Sequence, residues 1–168
     1  MLMYMAYLNL TLAMEGEKLE IQLKSPAMNL LGFEHKARTK NDIAAVENAD
    51  ALLGKPDSLF SFSGGRCHLT NSSVDLSGVS YSGHDVHEDE AETHGHEHED
   101  NHAERKSHSE IIASYHYYCK SLATLSSITV ALFDVFPGIH QVHALWISEK
   151  QQGRKSLDAE NRIINLKR

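Results

Sequence analysis

The sequence predicts an α+β fold: a predominantly antiparallel β-sheet domain with one main helix and a long histidine-rich loop expected to be disordered. Three observations carry this. Two period-two apolar runs open the chain, one helical run spans residues 39–53, and residues 84–108 hold hardly any aliphatic side chain. Many short strands, one central helix and short Gly or Pro turns suit segregated α+β layers. At 168 residues the chain fits a single domain, 1–168, with one sizeable core.

Leu8, Leu10, Leu12 and Met14 alternate with polar or small residues, the period of a half-buried strand. Gly16 follows, then Leu19, Ile21 and Leu23 alternate as far as Ser25-Pro26, so the pair reads as a hairpin turning through Glu15-Gly16-Glu17. Thr39 with Asp42 three positions later has the form of a helix start. Ile43, Val46, Ala49 and Leu53 then recur at helical spacing until Gly54 and Pro56. Leu59, Phe60 and Phe62 add apolar cover before Gly64-Gly65, and a strand is expected over 67–79. Regular structure returns at 111–119 and 128–133. A Phe136-Pro137-Gly138 turn leads to a strand marked by Val142, Ala144 and Trp146, and 163–166 closes the sheet. No internal repeat is evident.

Between these halves lies the chemistry. Seven of the 12 histidines, His84, His87, His94, His96, His98, His102 and His108, fall in residues 84–108. The same segment holds nine acids against Arg105 and Lys106, a formal charge of −7. The whole chain also carries −7, so the remainder, with 14 acids and 14 bases, is neutral. The segment is too poor in apolar area to offset the entropy of ordering it, so it is expected to be disordered without ligand. Loops this long inside a compact domain are functional or disordered.

Neutral imidazole suits zinc, copper and nickel, whereas magnesium and calcium prefer oxygen. Zinc leads on availability, with copper or nickel as alternatives differing only in the ion. In an extended chain His94, His96 and His98 project to one side, about 6 to 7 Å apart. Two or three of them reach one ion, His84 and His87 supply a further pair, and His102 or His108 is brought round by the chain. The carboxylates raise the local cation concentration and serve as added ligands. They also stabilise imidazolium, so protons and metal compete.

So negative a segment repels nucleic acid and anionic lipid, and no basic patch reverses it. No apolar run is long enough to cross a membrane as a helix, and the apolar opening, residues 1–12, lacks the basic start and small-residue cleavage site of an export signal. No nucleophile elbow, phosphate-binding glycine loop or His-Glu-x-x-His helix occurs, so an enzyme is not expected. Cys67 and Cys119 match no CxxC spacing, and both a disulfide and two buried thiols fit. A disulfide would enclose every clustered histidine and contribute about 4 kcal/mol by loop closure.

Outside the segment, Gly32-Phe33-Glu34-His35 sets a carboxylate beside an imidazole, a second metal or partner site or, more ordinarily, a capping or hydrogen-bonding pair. Adjacent strand residues point to opposite faces, which favours the ordinary reading. His140 and His143 stand three positions apart, an odd spacing that sets them on opposite faces of a strand, and read as structural or exposed. His68 and His116 lie near cysteines at spacings that do not demand zinc.

Leu8-Asn9-Leu10, Lys24-Ser25-Pro26-Ala27, Gly32-Phe33-Glu34-His35, the helix, the two cysteines around a His/Asp/Glu tract, and Leu132-Phe133-Asp134-Val135-Phe136-Pro137-Gly138 before a Trp strand occur in that order. This order resembles the ZrgA-type zinc-binding proteins of Gram-negative bacteria over nearly the whole chain. The resemblance implies a periplasmic accessory to zinc uptake that captures metal and passes it towards a transport system in the inner membrane. Members commonly begin with an export signal and a histidine-bearing stretch, where this chain has Met1-Leu2-Met3-Tyr4-Met5. A structural or protein-interaction domain with a solvated acidic loop is the alternative from another class.

Overall fold

A computed structural model describes residues 7–80 and 109–166 of the chain. In β1 (Tyr7–Glu15) Leu8, Leu10 and Leu12 are buried, and in β2 (Lys18–Pro26) Leu19, Ile21 and Leu23 are buried on the same side. The antiparallel register sets Leu10 opposite Leu23 and Leu12 opposite Ile21. A slip of one residue would turn all six outward, so burial fixes the register. Gly16 makes the turn with a φ of 63°, a positive value that costs glycine little.

The hairpin lies at the centre of a six-stranded sheet. With β4 (Cys67–Asp75), β5 (Glu110–Cys119), β7 (Gln141–Ile147) and β8 (Gln152–Leu157), its order is β4-β5-β2-β1-β7-β8. Every neighbouring pair is antiparallel except β1 and β7, which run parallel with Leu10 beside Ala144 and Leu12 beside Trp146. The sheet is therefore mixed, though mainly antiparallel as expected. A parallel pair needs a long crossover, and most of the chain lies between these two strands.

One face of the sheet is the core face: Ile111, Ala113, Tyr115 and Cys119 of β5, Val142 and Ala144 of β7 and Leu157 of β8 are all buried. A second sheet, β3 (Phe60–Ser63), β6 (Ser127–Val130) and β9 (Ile163–Asn165) in the order β3-β6-β9, lies against this face. Phe60 meets Tyr115 edge-on at 5.7 Å between ring centroids, and Phe62 meets Tyr117 at 4.9 Å. Residues 60–62 are thus strand as well as apolar cover, and β9 closes the small sheet instead of the large one.

The main helix α2 (Lys40–Leu53) starts where the sequence placed it. The Asp42 amide donates to Thr39 Oγ1 at 3.0 Å, and Asp42 Oδ2 accepts from the Thr39 and Arg38 amides. These bonds, that from Arg38 foremost, hold the Asp42 carboxyl below its ordinary range, with His35 adding to the effect. Val46, Ala49 and Leu53 are buried, and the Tyr115 hydroxyl donates to the Leu53 carbonyl at 2.6 Å. That bond ties the last turn of the helix to the middle of β5.

Other departures from the sequence reading also have physical causes. The strand expected over 67–79 ends at Asp75, whose Oδ1 accepts the Ser77 amide and turns the chain. The apolar run 128–133 divides into β6 and a short helix α3 (Leu132–Val135), and Arg162 clamps Asp134 of that helix with bonds of 2.7 and 3.2 Å. A five-residue helix α1 (Ala27–Leu31) follows Pro26, too short for its periodicity to be read. Strand β8 buries only Leu157 of its six residues, so as an edge strand it shows no alternation.

Burial, with Tyr117 adding to it, holds the Tyr115 hydroxyl well above the ordinary phenol range. Its contribution to stability is present below about pH 10 and is lost as pH rises towards the folded value. Tyr115→Phe is expected to lower the urea-unfolding free energy by about 1–2 kcal/mol at neutral pH. It is also expected to flatten the alkaline loss of stability that the wild-type chain shows.

Candidate metal centre

The seven candidate ligands His84, His87, His94, His96, His98, His102 and His108 lie outside the described residues, as does the segment expected to be disordered. What is described is the place where that segment leaves and rejoins the fold. On its amino-terminal side, Val79 and Ser80 both donate their amides to Leu76 O, and Ser80 Oγ adds a bond of 2.8 Å to the same oxygen. Val79 is fully buried, and its carbonyl accepts the Ala37 amide at 2.8 Å. On the carboxy-terminal side, the Ser109 carbonyl accepts the Ala27 amide at 2.8 Å, and Ser109 Oγ donates to Glu34 O at 2.8 Å.

Both flanks are thus bonded to one stretch, residues 27–37. They also stand beside each other, since a Cβ added at Gly78 would come within 3.5 Å of Ser109 Cβ. Lys36 Nζ reaches Ser77 O at 3.4 Å.

The stretches that carry the family resemblance meet around this knot. Ser25 and Asn29 are the buried polar pair, with Asn29 Nδ2 donating to Ser25 Oγ at 3.3 Å. A Cβ at position 138 would lie 2.6 Å from the Asn29 carbonyl oxygen, so only glycine lets the Phe-Pro-Gly turn approach α1 this closely. Gly32, at φ 92°, ends α1 and leads into Phe33, Glu34 and His35. Phe33 stacks on the His35 ring, and His35 Nδ1 lies 2.8 Å from Lys36 O.

The remaining described histidines are dispersed. His116 Nε2 lies 3.8 Å from Glu20 Oε2 across β2 and β5, on the face of the large sheet opposite the core. Sequence reading could not pair these two, because the pairing needs the strand register. His68 leans on Tyr118 at 5.6 Å and His143 on Tyr7 at 3.9 Å. His143 lies within β7, whereas His140 precedes the strand and is exposed. Among the described residues no three His, Cys, Asp or Glu side chains converge where one ion could be held.

Cys67 and Cys119, left open by the sequence, are joined in a disulfide directly across β4 and β5. The bond encloses residues 68–118, and with them the histidine segment. Among the described residues no helix is long and apolar enough to cross a membrane.

These features define a class: a disulfide-bonded, mainly β fold that holds both ends of a long acidic, imidazole-dense segment. The family profile described as ZrgA family zinc uptake protein matches residues 7–166, and the chain belongs to that family. Membership gives it a role in zinc uptake. A search of curated proteins returned no match.

Replacing both Cys67 and Cys119 by alanine is expected to destabilise the fold by about 2–4 kcal/mol, because a long loop is no longer closed in the unfolded chain. Chemical denaturation of the variant against the oxidised wild type measures this.

Proposed function

We propose that the chain captures Zn2+ through His84, His87, His94, His96, His98, His102 and His108, buffers it in the periplasm and assists its delivery to a zinc transport system of the inner membrane. The observation that carries this reading is the coincidence of seven imidazoles with the whole net charge of the chain in residues 84–108. Membership of a zinc uptake family supports zinc over copper or nickel. The family's role in zinc uptake supports a periplasmic location, as does the disulfide, since such bonds persist in oxidising compartments.

The proposed chemistry needs only donors and charge. Neutral imidazole nitrogens bind the ion, while the nine acids draw cations in and complete partial coordination shells. The bonded flanks at Val79 and Ser109 give the segment a fixed base. Binding and release of the ion need no bond making or breaking in a substrate.

Because a ligating imidazole must be unprotonated, metal and protons compete for it. Zinc capacity measured by titration is expected to be high at about pH 7.5 and to fall severalfold at about pH 5.5, on either side of the ordinary histidine value near 6.5. Equal capacity at the two pH values would contradict capture by the histidines.

A further inference from the structure

Gly32-Phe33-Glu34-His35 is a sequence motif with metal-ligating residue types to which zinc capture by residues 84–108 assigns no task. The adjacency objection raised by a strand does not apply to it, because residues 32–35 are irregular backbone after α1. His35 is exposed, yet its ring is fixed in two ways. Its Nδ1 is 2.8 Å from the Lys36 carbonyl oxygen. A carbonyl only accepts, so Nδ1 carries the proton and the neutral ring keeps a bare lone pair on Nε2. Phe33 stacks against the ring at 4.7 Å with planes 19° apart. An imidazole oriented by an N–H bond to a carbonyl is the arrangement in which histidine binds metal through its other nitrogen. Among the described residues, His35 is the histidine that has such a bond.

Its position adds to its chemistry. The Glu34 carbonyl, one residue away, accepts from Ser109, and the Ala37 amide, two residues away, donates to Val79. His35 therefore stands on the backbone that fixes both ends of the histidine segment.

We propose that His35 is a zinc ligand of the folded body itself, accepting Zn2+ on Nε2 where ions collected by the segment first meet a fixed side chain. This rests on the zinc-capture reading, which supplies the ion. One imidazole alone holds zinc weakly, with water filling the other positions. The position counts because a tethered source presents its ion at high effective concentration. Weak, exchangeable coordination is also what a transfer point needs.

The test is a titration of the full chain with zinc chloride, followed through the imidazole nitrogen resonances, with His35 assigned by comparison with His35→Gln. The expected result is a saturable shift of His35 Nε2 with Nδ1 still protonated, and about one equivalent less zinc bound at saturation by H35Q. The wild-type titration does not depend on how the variant folds. Unmoved His35 resonances while other imidazoles respond would overturn this proposal and leave the capture reading standing, as would undiminished zinc binding by H35Q. If no imidazole responds, both readings fall.

Discussion

The fold depends on β5 taking its place between β2 and β4. Nine residue pairs join it to β2 along its length, and eight join it to β4 on its other side. Its side chains also reach outward from the sheet: the Tyr115 hydroxyl holds the end of α2, and Tyr115 and Tyr117 take the aromatic side chains of β3. Yet β5 follows the histidine-rich segment 84–108, whose sequence holds hardly any aliphatic side chain, so its docking must overcome the entropy of closing a long loop. The apolar alternation of Ile111, Ala113, Tyr115 and Tyr117 supplies burial for this, and the Cys67–Cys119 bond limits the freedom that the unfolded chain would otherwise regain.

The same constraint explains why a long, highly charged segment can be carried here. The residues that flank it, Gly78 and Ser109, stand beside each other, and both flanks are bonded to residues 27–37, so the fold holds it at a single place. Loop-closure cost rises only slowly with length, which leaves the number of imidazoles free to vary without disturbing the core. The stretches carrying the family resemblance support this attachment. Ser25, Asn29 and Gly138 pack α1 and the Phe-Pro-Gly turn together beneath it.

Where burial is one-sided, the sequence was legible. Leu8 to Leu12 and Leu19 to Leu23 alternate because one face of the hairpin is core, and Thr39 with Asp42 announces α2 because a capping box is a local device. The hidden elements were those whose cause is distant or whose burial is small. Strand β8 is nearly all exposed, α3 is met by Arg162 from far along the chain, and the parallel pairing of β1 with β7 is a matter of topology alone. The candidate ligands were legible as composition, since clustered histidine and acid need no fold to be recognised. The setting of His35 was not, because its bond to Lys36 and its nearness to Ser109 and Val79 exist only in three dimensions.

On the proposed function, the fold stands on its own and the histidine segment is the collector it carries. The most direct test is to replace residues 84–108 by a short Gly/Ser linker and to measure zinc stoichiometry and thermal unfolding of the same preparation. The expected product is a cooperatively folded protein with a melting temperature close to that of the full chain and with most of its zinc capacity gone. An unfolded product, or unchanged zinc stoichiometry, would contradict it.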